Sequence, residues 1–360
     1  MENEMARGAT NSLVNDLRSE LNKAAKENVA YDLHGDNPTD VKTWISTGST
    51  LLNYIISNRR DGGIPVGKLT TIAGESASGK SLVVTQILAN TQKMGGLAVY
   101  IDTENAASPD FMEQLGLDTK NNFMYVQPGT IEEVFENIER LIGLIREKAP
   151  SKLVCIVWDS VAGTPVKAEI EGDYDPNSRI GLTAKALAKG MRKVTETLGR
   201  EQIALVFTNQ LKTNIGVMFG DNRVEPGGKA LPYHASARIW LTQHKSKANG
   251  EIRNAKKQII GFHTSAKTMK SRFGPSPRSC EFDVLFDLAN DRVGIDDESS
   301  WLSAIGGTPG CVRSGAWYTI NVDGEDKKFQ SKDFPKLLED ENFKKRVLDI
   351  LEDECRIGKK

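Results

Sequence analysis

Eight consecutive residues, Gly74-Glu75-Ser76-Ala77-Ser78-Gly79-Lys80-Ser81, satisfy the pattern G-x-x-x-x-G-K-[ST] at every fixed position. The chemistry open to such a run is the grip of a polyphosphate. Its backbone N–H groups can wrap the phosphates, and the amino end of a following helix adds its positive dipole. Lys80 can reach β- and γ-phosphates, and the Ser81 hydroxyl suits Mg²⁺. Such a loop needs a strand before it and a helix behind it. Leu69-Thr70-Thr71-Ile72-Ala73 is short, β-branched and apolar, as a buried strand should be, and Leu82 to Lys93 reads as a helix.

Further candidates close later strands. Asp102-Thr103-Glu104 ends an apolar run, and strand alternation puts the two acids on one side, where a carboxylate can orient or deprotonate a water attacking the γ-phosphate. A solvated pair of acids at a loop start is the plainer alternative. Val154-Cys155-Ile156-Val157-Trp158-Asp159-Ser160 is an apolar run ending in an acid, which beside a phosphate loop points to Asp159 as a Mg²⁺ residue. Asn209-Gln210 closes a third such run, where an amide can sense the γ-phosphate. Leu211 to Lys229 then shows no periodicity and carries four glycines. Loops of that length without structure of their own are uncommon and are usually functional or disordered. Val217-Met218-Phe219 forms an apolar tip suited to wedging between bases, or to binding a protein partner.

Two basic stretches join these. The helical segment from Gly181 sets Leu187, Met191, Val194 and Leu198 on one face and Lys185, Lys189 and Arg192 on the other, with no acid between Asp175 and Glu196. That face is either simply solvated or a surface for a phosphate backbone. Ser265 to Cys280 holds Lys267, Lys270, Arg272 and Arg278 without an acid. It suits DNA, or a nucleotide held by another subunit.

The elements that must position these residues alternate. Strand candidates Leu97–Asp102, Leu153–Asp159 and Ile203–Thr208 are separated by helical segments near 109–116, 130–148 and 181–200, which implies a parallel sheet covered on both faces. Ala237–Gln243, Ile259–Ser265 and Glu281–Leu285 follow without long helices, as a β-rich extension of that sheet would. The expected class is therefore α/β, with a small helical arm before the core and a small α+β module after it. The boundaries fall at 1–40, 41–288 and 289–360. In the arm, Leu13, Leu17 and Leu21 make an apolar stripe, fit either for its own core or for a neighbouring subunit. In the last module, Asp323-Gly324 marks a hairpin and two short helices follow.

Composition sets outer limits. With 47 basic against 48 acidic residues, net charge favours neither nucleic acid nor membrane, so such partners rest on local clusters. No apolar run approaches the roughly 18 residues of a membrane span. The polar start is unlike a signal peptide, and four scattered cysteines without a C-x-x-C pair suggest a reducing compartment. A cytoplasmic protein is expected.

Several blocks, in order, carry a resemblance to a known family. Ile45-Ser46-Thr47-Gly48-Ser49, the phosphate loop, Asp102-Thr103-Glu104, Thr164 to Gly172, Asn209-Gln210, Ile215-Gly216-Val217-Met218-Phe219-Gly220 and Gly315-Ala316-Trp317-Tyr318 resemble the RecA-type recombinases of bacteria and their phages. The resemblance implies a RecA-like ATPase core using ATP and Mg²⁺. It implies Glu104 as the catalytic glutamate, Gln210 as the link from γ-phosphate to the second DNA-binding loop, and Phe111 as the ring against adenine. It further implies DNA-binding loops at about 171–180 and 212–228. Arg179, Ile180, Gly181, Lys185 and Arg192 fall in or beside the first. Lys212, Asn214, Ile215, Gly216, Val217, Met218, Phe219, Gly220, Gly227 and Gly228 make up the second; Lys267, from the basic stretch and not from the resemblance, is a further candidate DNA contact. Lys270 and Arg272 fall where two lysines reach the neighbouring subunit's ATP, and Arg272 keeps the charge with another geometry. Ser108 stands where an acid is usual near the adenine.

The activity so implied is DNA-dependent ATP hydrolysis with homologous pairing and strand exchange. The partners are single-stranded DNA, homologous duplex, further copies in a helical filament, and single-strand-binding and loader proteins. A hexameric helicase-type motor and an ATP-switched scaffold filament use the same core and are the competing readings. Phe219→Ala is expected to impair strand exchange between homologous DNAs while leaving nucleotide binding intact. Normal exchange by that variant would count against the loop assignment.

Overall fold

The computed structural model describes residues 2–358 apart from 27, 36, 38, 172–180, 200, 215–221 and 245–249. The chain falls into two compact units, Met1–Lys42 and Thr43–Lys360. In the first, α1 (Glu2–Ala25) carries Leu13, Leu17 and Leu21 exposed on one stripe. The Asn22 side chain bonds the backbone of Val29 and Ala30 beyond it.

The second unit opens with β1 (Trp44–Ile45), α2 (Thr50–Ser57) and β2 (Ile64–Pro65), the two strands pairing antiparallel. Strands and helices then alternate: β3 (Leu69–Gly74), α3 (Lys80–Lys93), β4 (Leu97–Asp102), α4 (Pro109–Gln114), β5 (Phe123–Val126), α5 (Ile131–Lys148), β6 (Val154–Asp159), α6 (Lys167–Glu171), α7 (Leu182–Leu198) and β7 (Ile203–Gln210). Next come a ribbon of β8 (Lys212–Thr213) and β9 (Arg223–Val224), and α8 (Ala230–His234). β10 (Ala237–Gln243), β11 (Glu251–Arg253), β12 (Ile259–Ser271), β13 (Arg278–Asp287) and β14 (Arg292–Asp296) follow. The chain ends through α9 (Asp297–Ile305), β15 (Val312–Ser314), β16 (Trp317–Val322), β17 (Glu325–Gln330), α10 (Phe334–Leu337) and α11 (Glu341–Cys355).

Ten strands form one sheet in the order β14-β13-β12-β10-β3-β7-β6-β4-β5, with β11 beside β12. From β5 to β10 all neighbours are parallel, and from β10 to β14 antiparallel. The α/β expectation and the β-rich extension are both borne out. Strands buried on both faces read as unbroken apolar runs, and every residue of β3 and β6 is buried. One face packs under α2 and α3, the other under α5 and α7. Helix α5 buries Ile131, Val134, Phe135, Ile138 and Ile142, spaced for one stripe. Its start is fixed by Thr130, whose hydroxyl accepts the Glu133 N–H, and its end turns favour the dipole with Glu132 and Glu133 first and Arg146 and Lys148 last. At the crossing with α7 a Cβ on Gly190 would lie 2.2 Å from the Phe135 ring. Phe135 in turn packs edge-on against Trp158 of β6 and Phe207 of β7.

The last elements bury an aromatic cluster of Phe329, Phe334 and Phe343 together with Leu51 and Tyr54 of α2. Arg278 crosses to them: its guanidinium donates to the carbonyl oxygens of Tyr54 and Cys355 and to Asn58 Oδ1. The basic stretch Ser265 to Cys280 is thus no loop but the end of β12, a turn and the start of β13, with Arg278 turned inward. Asp297, at the start of α9, accepts the Thr50 N–H at 2.7 Å and its hydroxyl at 2.6 Å. Among the described residues no helix is long and apolar enough to cross a membrane.

Two outcomes follow from this packing. Gly190→Ala forces the Phe135 ring to move, and overpacking of this kind costs about 1–3 kcal/mol. A denaturant midpoint equal to wild type would show that the helices are not held this close. Burial drives the Asp297 carboxyl up to about 6 from an ordinary 3.8, against the hydrogen bonds from Thr50. The folded state thus holds this proton more tightly than the unfolded chain. The resulting stability is complete below the ordinary value and is lost as pH rises through about 6. Unfolding measured from pH 7 to 5 should show wild type gaining on Asp297→Asn, and a pH-independent difference would contradict this.

Candidate nucleotide and nucleic-acid site

The carboxyl ends of the parallel strands bring four of the sequence candidates to one edge. Gly74 ends β3, Asp102 ends β4, Asp159 ends β6 and Gln210 ends β7. Asp102 stands opposite Asp159 and Gly74 opposite Gln210 in the sheet register. That edge is where ligands bind in open parallel sheets.

The loop Gly74–Ser81 has the backbone its sequence requires. A Cβ on Gly74 would meet Ser78 Oγ at 2.3 Å and the Leu241 carbonyl oxygen at 2.8 Å, so only glycine fits. Ala77 and Gly79 take positive φ, Gly79 as N-cap of α3. Glu75 and Ser76 lie between Gly74 and Ala77. Lys80 is buried, and its ammonium donates to the carbonyls of Gly74 at 3.1 Å and Glu75 at 2.8 Å. Desolvation lowers its pKa, while Asp159 and Glu104 pull it back up. Ser78 Oγ lies against Gly74 and is buried with no hydrogen-bond partner among the described residues, an open polar valence within the loop.

Asp159 accepts hydrogen bonds from three hydroxyl groups at this edge. Ser81 Oγ donates to Oδ2 at 2.7 Å, Tyr100 donates to the same oxygen at 2.7 Å, and the Thr208 hydroxyl donates to Oδ1. A hydroxyl and a carboxylate in contact, both hard oxygen donors, fit Mg²⁺. The pair Ser81 and Asp159 would hold it.

Strand alternation does not decide the roles of Asp102 and Glu104, because β4 stops at Asp102. Asp102 is buried and accepts the N–H groups of Glu104, Ala106 and Ala107, capping the turn beyond the strand. Tyr125 donates to it as well, at 2.8 Å. Glu104, by contrast, is exposed, and the Ser160 hydroxyl donates to its Oε1. Burial and the neighbouring acids push both phenols up, Tyr125 to about 12 and Tyr100 further, so each remains a donor at neutral pH. Trp158 Nε1 reaches Thr103 and Thr164, joining the strand floor to the Glu104 turn. Tyr100, Tyr125, Ser160 and Thr208 are not singled out by the sequence patterns. The one legible signal is that Tyr100 and Asp102 share a strand face.

Of the amide pair, the buried member is Asn209, whose side chain donates to the Pro226 carbonyl at 3.0 Å. Gln210 is partly exposed beside Gly74. The stretch expected to lack structure begins as the β8–β9 ribbon, closed by Asn214 N–H to the Asn222 carbonyl at 2.7 Å. Lys212 and Asn214 are exposed on it. Ile215, Gly216, Val217, Met218, Phe219 and Gly220 lie outside the described residues, as do Arg179 and Ile180. Gly227 and Gly228 take positive φ, and a Cβ on Gly227 would lie 2.6 Å from a Leu187 methyl, so the doublet presses the returning chain onto α7. Gly181 is the positive-φ N-cap of that helix, and Lys185, Lys189 and Arg192 are exposed along it.

Lys270 and Arg272 are not brought to this cradle. Lys270 pairs with Arg238, which pairs with Thr71 near the start of β3, at the opposite end of the strand from Gly74. Lys270 Nζ donates to the carbonyls of Pro232 at 3.0 Å and Tyr233 at 2.9 Å, the carboxyl end of α8. Desolvation, then Arg272 and Arg238, lower its pKa. Burial first, then the charges of Arg192, Lys270 and Arg272, lower the His234 pKa and favour its neutral ring beside these cations. Lys267 lies exposed three residues before Lys270 in β12, and Phe111 is half-exposed at the start of α4, capped by Ser108.

A family model described as the RecA N-terminal domain matches residues 14–290. Protein RecA of Bacteroides thetaiotaomicron is 35% identical over 312 residues, 85% of this chain and 88% of the relative. Protein RecA of Symbiobacterium thermophilum is 34% identical over 279 residues, covering 76% and 73%. Protein RecA of Bifidobacterium breve is 34% identical over 312 residues, covering 85% and 74%.

Proposed function

The chain belongs to the RecA family of recombinases, and from that premise we propose that it assembles as a helical filament on single-stranded DNA and catalyses ATP-dependent homologous pairing and strand exchange. The observation that carries the coupling is the path of β7. Its last residue, Gln210, lies in register with Gly74 of the phosphate loop, and two residues later the chain enters the β8–β9 ribbon. A side chain that answers to the γ-phosphate therefore sits two residues from the base of the segment proposed to grip DNA. Ordering of that segment by bound ATP is a population shift between a gripping and a releasing state.

Each residue then has a task. The loop N–H groups and Lys80 bind and orient the phosphates. Ser81 and Asp159 hold Mg²⁺, which when bound neutralises charge on the β- and γ-oxygens. Glu104, with Oε1 occupied by Ser160, has its other oxygen free to take a proton from water as general base. Phe111 lies against the adenine. Lys270 and Arg272, remote from the cradle of their own chain, serve the ATP of the adjoining subunit, which supports a site completed only by polymerisation. Lys185, Arg192, Lys212, Asn214 and Lys267 contact the DNA backbone. Homologous duplex is the second substrate, with single-strand-binding and loader proteins as accessory partners, in the cytoplasm.

Glu104→Gln keeps the size and hydrogen bonding of the side chain and removes the base. Loss of a general base costs about 10²–10⁴-fold in rate. The variant is expected to lose DNA-stimulated ATP hydrolysis to that extent while still binding single-stranded DNA tightly with ATP. Wild-type protein that holds single strands equally well with ATP, ADP or no nucleotide would overturn the proposal.

A further inference from the structure

Two tyrosines beneath the nucleotide site have no task in the reading above. Tyr100 of β4 and Tyr125 of β5 stand directly opposite each other in the parallel register. Their rings lie 6.5 Å apart and within 12° of parallel. Each hydroxyl goes to a different acid of the site. Tyr100 donates to Asp159 and Tyr125 to Asp102, at 2.7 and 2.8 Å.

A phenol is an expensive choice at a buried strand position. Tyr100 is 3% exposed, and an unpartnered hydroxyl there would cost more than a phenylalanine. What the hydroxyl gains is control of a carboxylate. Asp159 has two oxygens and three hydroxyl donors, which come from α3, β4 and β7. Ser81 and Tyr100 share Oδ2, so Tyr100 fixes the carboxylate even when Ser81 turns its oxygen toward a cation. Groups that hold a metal-binding carboxylate in this way tune the metal's affinity without touching it. Tyr125 acts one strand away. Asp102 caps three N–H groups of the turn that presents Glu104, and Tyr125 occupies the same Oδ2 that accepts two of them. Gln127, the residue after β5, donates to Asn105 in the same turn at 2.7 Å, so Tyr125 and the segment leaving β5 brace the turn twice.

The geometry points to Tyr100 and Tyr125 as a stacked positioning pair that sets the two acids of this site independently: Tyr100 orients Asp159 for Mg²⁺, and Tyr125, through Asp102, holds the turn that aims Glu104. This rests on the nucleotide-site reading given above. It adds that the two functions are separable at two adjacent rings.

Phenylalanine at either position keeps the ring stack and removes one hydroxyl. Equilibrium binding of a fluorescent ATP analogue across free Mg²⁺ concentrations reads the first arm. Tyr100→Phe is expected to raise the Mg²⁺ needed for half-maximal binding by roughly tenfold, the low end for loss of a hydrogen bond behind a metal ligand. Tyr125→Phe is expected to leave that curve in place. It should instead lower kcat for DNA-stimulated ATP hydrolysis roughly tenfold at unchanged KM, a part of what a well-aimed base supplies. A Tyr100→Phe curve that overlays wild type overturns the assignment. So does a pair of variants that shift both readouts alike, the signature of a merely structural role. Wild-type protein that binds the analogue no better with Mg²⁺ than with a chelator overturns the nucleotide-site reading itself, and is thereby distinguished from failure of the tyrosine assignment.

Discussion

A buried carboxylate at the end of a parallel strand is the constraint to which the rest of this molecule answers. Asp159 is taken out of water by the sheet and can stay there only if its lone pairs are met. The groups that meet them come from the helix after the phosphate loop, from β4 and from β7, so one side chain ties three elements at the edge where nucleotide chemistry is proposed. The aromatic layer behind it, Phe135, Trp158 and Phe207, holds the strands at the spacing those hydrogen bonds need. Gly190 in turn lets α7 close over that layer.

The two ends of the sheet are chemically opposed. The carboxyl ends carry Asp102, Asp159 and the cradle. At the other end of β3, across β10, the cations Lys270, Arg272 and Arg238 lie close together beside α8. Like charges at close range cost free energy unless something anionic comes to them. The carbonyl oxygens at the end of α8 meet part of that cost for Lys270. Arg238 is met by the buried Glu225 carboxylate at 2.7 Å.

The C-terminal elements are held to the core by more than their own packing. Arg278 on β13 bonds both the end of α2 and the last carbonyls of α11, Asp297 bonds the start of α2, and Asn58 bonds Ile357 in both directions. Arg278 lies eight residues beyond Lys270 on the same hairpin. The hairpin that carries Lys270 and Arg272 thus also carries the clamp on the last helix.

How much of this was legible in the chain varies with the range of the forces involved. Gly74–Ser81, with its strand and helix, is local: positive φ at Gly79, close approach at Gly74 and an amino-terminal helix dipole are all set within eight residues. The unbroken apolar runs of β3, β6 and β7 likewise announce strands covered on both faces, and their terminal residues announce the site edge. What the sequence left undecided depends on partners distant along the chain. Alternation could not tell Asp102 from Glu104, because the strand ends between them and burial separates the capping acid from the exposed one. A basic run could not show that Arg278 turns inward to α2 and α11 while Lys267 faces solvent. Nothing local marks Tyr100 and Tyr125 as a pair, since two residues 25 positions apart become neighbours only when β4 and β5 align. The sequence by itself determined the chemistry on offer, a phosphate cradle, a metal acid and a base. Only the tertiary structure decided which acid is buried, which is exposed and which hydroxyls hold them, because burial and long-range pairing are properties of the packed sheet and not of any segment.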